Sequence, residues 1–232
     1  GLKYIKDSAS YRWGYDAYPF VGFRQKPFAS ETINFSSEGV RLTPYNENSG
    51  RKVTVFAFGG STLVGVGAPD WGTIPAYLAK NLKNVRLRPS VVNYGSGWWT
   101  SSQSLAQLMV CLRRGERPDM VVFYDGINDV NVVSFGGNAG EMAPEVIKLF
   151  QKGLEDKLRL FHEIAIRFTF FRSALLKLRP SQLAKSGDNH FSIREELWPQ
   201  RSSQIVTAYE ENVRIVTALG KEYGFTTYFF LQ

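Results

Sequence analysis

The stretch KVTVFAFGGSTLVGVG, residues Lys52–Gly67, sets the frame of the chain. Val53, Val55, Phe56, Ala57 and Phe58 give it a run that is apolar on both faces, the pattern of a strand buried on both sides of a sheet. Gly59 and Gly60 then stop the strand, and Ser61 follows directly. Downstream the period changes: TIPAYLAKNL, residues 73–82, repeats its apolar positions at helical spacing. A strand that passes through glycines into a helix is the opening unit of an α/β sheet, and ligands of such sheets bind beyond the carboxyl ends of the strands. Ser61 falls at such an end. It reads either as a turn or helix-capping residue or as a nucleophile, and a nucleophilic serine needs a base to take its proton. The chain has two histidines, His162 and His190.

The same alternation continues outward. SVVNYG (90–95) reads as a second strand, SSQSLAQLMVCLRR (101–114) as a helix with a serine cap, and DMVVFYDG (119–126) as a third strand. SSQIVTAYEENVRIVTALGKEYG (202–224) reads as a helix with a serine start and a glycine stop, leading into FTTYFFLQ (225–232) as a fourth, buried strand. The expectation is therefore an α/β domain over residues 51–232, its parallel sheet covered on both faces. Residues 1–50, rich in Tyr, Phe, Gly, Pro and Asn without a clean period, read as an extended arm of short strands and turns packed on that domain. Residues from about 144 to 200 are basic and mostly helical in pattern, broken by the loop-like RPSQLAKSGDNHFS (179–192). They read as a helical insertion, either a lid or docking element or ordinary covering helices.

Bulk properties narrow the function classes. The 232 residues carry a net charge of +7, but Lys and Arg are spread over helices rather than gathered into a run. That distribution argues against nucleic acid and is compatible with an anionic lipid surface or an acidic glycan. The lone cysteine, Cys111, lies on an apolar helix face, so no internal disulfide and no cysteine metal cluster is expected. No run reaches membrane-spanning length, and no signal-peptide pattern opens the chain; its abrupt GLKYIKD start leaves a removed leader or anchor open.

Three strand ends carry the chemistry: Gly59-Gly60-Ser61-Thr62, Asn93-Tyr94-Gly95-Ser96-Gly97-Trp98-Trp99-Thr100-Ser101, and Asp125-Gly126-Ile127-Asn128-Asp129. Together they offer a hydroxyl, glycine amides and a carboxamide on one rim, the set that acyl transfer needs. GGST lacks the lysine and spacing of a nucleotide loop. These blocks resemble those of the SGNH (GDSL-type) hydrolase superfamily. FAFGGSTLVGVG resembles the first block, with Ser61 as nucleophile; VVNYGSGWWTSSQSL resembles the second; VVFYDGINDV resembles the third, with Gly126, Asn128 and Asp129 matching its Gly-x-Asn-Asp core. The match runs from about Lys52 to Val130, and the aromatic arm is similar to segments that precede this domain in exported or membrane-anchored bacterial members.

The resemblance implies a three-layer flavodoxin-like fold and a serine esterase or O-acyl (acetyl) transferase. Its substrate would be an ester-bearing small molecule or glycan, and no metal or cofactor is implied. Ser61 would attack, while the amides of Ser61 and of Gly97 or Trp98, with the Asn128 side chain, would hold the oxyanion; Gly97 is the preferred loop donor. Asp129 would fix the turn that carries Asn128. Trp98 and Trp99 either shape a subsite or pack. The resemblance also implies a periplasmic, extracellular or membrane-anchored setting. Two departures stand out. Counting back from Thr100-Ser101, the second block places Trp98 where the family usually has glycine. The family's Asp-x-x-His block, expected after the last strand, is absent before Gln232, so the base is expected beyond it and residues 1–232 alone are expected to be nearly inactive. His190 follows Asp188 at the wrong spacing and ahead of the last helix and strand, and His162 reads as a helix-surface or core-edge residue. The rival expectation is a glycan-binding or assembly domain that kept the frame without the base.

Overall fold

The computed structural model describes residues 2–47, 52–144, 146–148, 151–152 and 197–232. The 179–192 loop, most of the proposed insertion, and both histidines lie outside the described residues. Beyond the arm the elements are β5 (Val53–Gly59), α2 (Ser61–Val64), α3 (Ile74–Asn84), β6 (Pro89–Asn93), α4 (Ser101–Arg113), β7 (Met120–Asp125), α5 (Ile127–Ser134), α6 (Trp198–Tyr223) and β8 (Thr226–Leu231). The arm before them holds α1 (Leu2–Tyr11), β1 (Tyr15–Tyr18), β2 (Gly22–Gln25), β3 (Phe28–Ala29) and β4 (Asn34–Phe35).

The central sheet has the order β6-β5-β7-β8 and its pairs are parallel, so the chain is α/β as the alternation of strands and helices requires. Side chains of β5 alternate between two cores. Phe56 and Phe58 pack with Leu108 and Cys111 of α4 and Val216 of α6, while Val55 packs with Ala79 of α3 and Val91 of β6. Burial pushes the Cys111 thiol up to about 11, which fits its place in the first of these cores.

Three local expectations are corrected. The arm opens with a helix, α1, rather than extended chain, because a tertiary contact overrides its mixed sequence: Tyr11 is buried against Ile33, Phe35 and Val64, and the Tyr4 hydroxyl accepts from Gly67 N. Thr100, not a serine, is the N-cap of α4, and its N–H donates to Gln103 Oε1 at 3.3 Å. The fourth strand is not buried. Among the described residues β8 is an outer strand of the sheet, and Tyr228, Phe230 and Leu231 are exposed; the first two line an apolar hollow of about 540 Å³ with Leu78, Leu82 and Val122. Among the described residues no helix is long and apolar enough to cross a membrane.

Two hairpins of the arm, β1–β2 and β3–β4, flank the sheet. The first is stitched along α4: Trp99 Nε1 donates to Phe23 O at 3.0 Å, Gln103 Nε2 to Val21 O at 3.0 Å, and Arg24 Nε to Gln107 Oε1 at 3.0 Å. Each contact lies one helical turn beyond the last, so the hairpin runs the length of the helix.

Candidate active site

The strand order places a switch point at the carboxyl ends of β5 and β7. From β5 the chain crosses to β6 on one side and returns to β7 on the other, and the diverging connections leave a crevice between those ends. Ser61, half-buried, is the first residue of α2 and stands at this crevice. A Cβ on Gly60 before it would lie 2.5 Å from Asn128 Nδ2, so a larger residue there would displace that carboxamide. The turn after β7 therefore touches the turn after β5, and a carboxamide nitrogen lies beside the backbone that leads into Ser61.

Asn128 is buried, and its Nδ2 donates to Trp99 O at 2.8 Å. A carboxamide nitrogen carries two hydrogens, and this bond uses one. Asp129 next to it binds the start of α4, accepting from Ser101 N at 3.1 Å and from Ser101 Oγ at 2.6 Å. Asn212 of α6 joins the same node by donating to Ser101 Oγ at 2.9 Å and Ser102 Oγ at 3.0 Å. Three elements thus meet where Asn128 is held.

Gly97 is at the second strand end and packs beside the arm. A Cβ on it would lie 2.4 Å from the Tyr15 hydroxyl. In the amide orientation that satisfies its neighbours, the Gln25 carboxamide donates to Tyr11 Oη at 2.7 Å and accepts from Gly97 N at 3.2 Å. The Gly97 N–H is therefore taken by the arm. Trp98, which follows it, has φ of +66°, a left-handed value that is costly for an aromatic residue, and its ring meets Phe135 at 6.4 Å. Its backbone N–H has no hydrogen-bond partner among the described residues.

The sequence reading missed Arg41. Its side chain is fully buried, with Nε 2.9 Å from Asp70 Oδ1. Nη1 donates to Val64 O and Gly65 O at 2.7 Å each, and Nη2 to Ala68 O at 2.6 Å. The guanidinium closes the carboxyl end of α2, a single turn too short to hold itself. Asp70 is fixed in turn by Asn34 Nδ2 at 2.8 Å. An arm residue thus sets the helix that presents Ser61. No local pattern announces this, since the partners are 23 to 29 residues away.

Beneath the third turn, Asp125 is buried; its Oδ1 accepts from Ser104 Oγ at 3.2 Å, while Oδ2 has no partner among the described residues. Burial first, and then the charge of Asp129, hold the Asp125 carboxyl well above the usual carboxylate range. Burial, with those two carboxylates, pushes the Tyr209 hydroxyl up to about 12. A raised folded-state value means that the folded protein binds the proton more tightly than the unfolded chain. The stability this contributes is complete below the ordinary aspartate range and is lost as pH rises through the raised value. Asp125→Asn is expected to stabilise the protein at pH 8 and to change little at pH 4, as read by urea unfolding at the two values. An equal effect at both would show that the carboxyl is ionised throughout.

No family model matches the chain, and no curated protein matches it. A mutant of the esterase AlinE4 aligns with a TM-score of 0.37 at 14% identity, over 78% of this chain and 77% of that one. AlinE4 itself, an esterase of the SGNH-hydrolase family, aligns with a TM-score of 0.34 at 15% identity, over 73% and 98%. TesA aligns with a TM-score of 0.32 at 16% identity, over 68% and 99%.

Proposed function

We propose that the chain is a serine esterase or O-acyl transferase, with Ser61 as nucleophile. The observation that carries the reading is the contact of Asn128 Nδ2 with Gly60, which sets a donor from the third strand end beside a half-buried serine at the first. In this reading Ser61 Oγ attacks an ester carbonyl while a histidine takes its proton. The oxyanion is held by the second hydrogen of Asn128 Nδ2 and by the N–H groups of Ser61 and Trp98. Gly97 yields that role to Trp98 because Gln25 occupies its N–H. The proton passes to the leaving alcohol, and the acyl group leaves Ser61 for water in hydrolysis or for a second hydroxyl in transfer.

The histidine is the open part of the constellation. Both histidines of the chain lie outside the described residues, whereas β8 ends at the rim, where Gln232 Nε2 donates to Thr62 Oγ1. The net charge of +7 fits an acidic, ester-bearing polymer as substrate, and the periplasmic or exported setting rests on the resemblance alone. A second reading, a binding or assembly domain without catalysis, follows if no base reaches Ser61.

Reaction of the full-length protein, with whatever follows Gln232, with a fluorophosphonate, followed by mapping of the modified peptide, tests the reading. Modification at Ser61 supports an activated serine; a folded protein that does not react moves the reading to the binding domain. Asn128→Ala is expected to lower kcat with p-nitrophenyl acetate by about a hundredfold or more with little change in KM, since the lost donor acts on the developing oxyanion. A change confined to KM would remove Asn128 from that role.

A further inference from the structure

At the far end of α4 from the crevice, the tip of the β1–β2 hairpin carries Phe20 with 80% of its surface exposed and φ of +68°. It follows Pro19, and a turn position after proline that takes a left-handed φ ordinarily holds glycine or asparagine. The chain accepts two costs at one residue, an exposed ring and a strained backbone, where glycine would remove both. The ring is not loose decoration: the Arg113 guanidinium sits 5.3 Å from its centroid. Tyr18, Pro19, Phe20, Val110, Arg113 and Arg114 enclose a hollow of about 420 Å³, within the range of small-ligand sites.

The cations around this hollow are not equivalent. Arg114 Nη1 is 2.8 Å from Glu38 Oε2, and its Nη2 bonds the Tyr18 hydroxyl. Arg24 stacks 3.7 Å over the Tyr18 ring and bonds Gln107. Arg113 has no carboxylate within ion-pair distance among the described residues. Among the described residues the hollow therefore presents one guanidinium without a carboxylate partner, a planar fork suited to a carboxylate, beside a ring and a proline that offer apolar faces. An anionic bilayer is met by several cations and a broad apolar surface, whereas among the described residues this hollow sets one unpaired fork beside one exposed ring, which matches a single carboxylate carried on a ring.

We propose that this hollow is a binding subsite for an acidic sugar residue, its carboxylate on Arg113 and its ring against Phe20 and Pro19. The subsite is separate from the crevice. Arg113 lies 13 residues along α4 from Thr100, about 20 Å at the helical rise, so an occupant here leaves Ser61 open. The proposal stands whether or not Ser61 is a nucleophile, and its test reads binding rather than turnover.

The test is calorimetric titration with a galacturonate trimer and with the corresponding neutral galactose trimer, on the wild type, Phe20→Gly and Arg113→Gln. The acidic trimer is expected to bind at least tenfold more tightly than the neutral one, more weakly as salt rises, and at least tenfold more weakly to each variant. Phe20→Gly keeps the test clear of misfolding, because removing the strain is expected to leave the melting temperature unchanged or raised. Equal affinity for the two trimers, or undiminished binding by Arg113→Gln, would overturn the proposal. Failure to bind the acidic trimer, with Phe20-dependent binding to phosphatidylglycerol vesicles instead, would also overturn it by making the tip a membrane contact.

Discussion

Ser61→Ala is expected to abolish fluorophosphonate modification of the full chain and to lower kcat/KM with p-nitrophenyl acetate by roughly a thousandfold or more, while leaving the fold intact. The serine is half-buried at the first turn of α2 and, among the described residues, its side chain bonds nothing, so its loss removes no structural contact. Equal melting temperatures for the two proteins would confirm that point. Residual modification at another residue would disqualify Ser61. His190→Asn, made in parallel, is expected to leave the rate unchanged, since His190 sits ahead of the last helix and strand in a spacing unlike a catalytic pair. A His190-dependent rate would instead identify the base.

The second large effect is on stability. Arg41→Met is expected to cost about 3–5 kcal/mol, because it strips the charge partner from a buried Asp70 and leaves the carbonyls of Val64, Gly65 and Ala68 without a donor. For a domain of this size that is a fall in melting temperature of roughly 10 °C. The milder Arg41→Lys keeps the charge but cannot reach the same set of oxygens in one plane. It is expected to fold and to react more slowly at Ser61, with faster amide exchange over residues 61–68. A Lys variant as stable and as rigid in that segment as the wild type would show that α2 holds itself.

How much of this was legible beforehand follows the range of each interaction. β5, β6 and β7, with the helices between them, could be read because apolar runs, glycine stops and helical spacing are local signals. So could the meeting of Ser61 and Asn128, because parallel strands deliver their carboxyl ends to one rim. The partner of the Gly97 N–H could not be found by counting residues, because Gln25, which accepts from it, comes from the arm. Arg41 and Asp70 were invisible for the same reason, being ordinary charged residues until the fold encloses them. The exposure of β8 was misread because FTTYFFLQ has the composition of a buried strand, and only the strand order makes it an outer one.

The node at Ser101 has a consequence for the order in which the protein matures. Asn128 and Asp129 reach partners 29 and 28 residues away, and Asn212 closes the same node across 111 residues. Contacts of such separation form late, after the loop-closure entropy between them has been overcome. During synthesis the serine at position 61 emerges long before these partners, and a partly made chain has no organised crevice around it. In the proposed mechanism, reactivity at Ser61 therefore waits on the completion of folding.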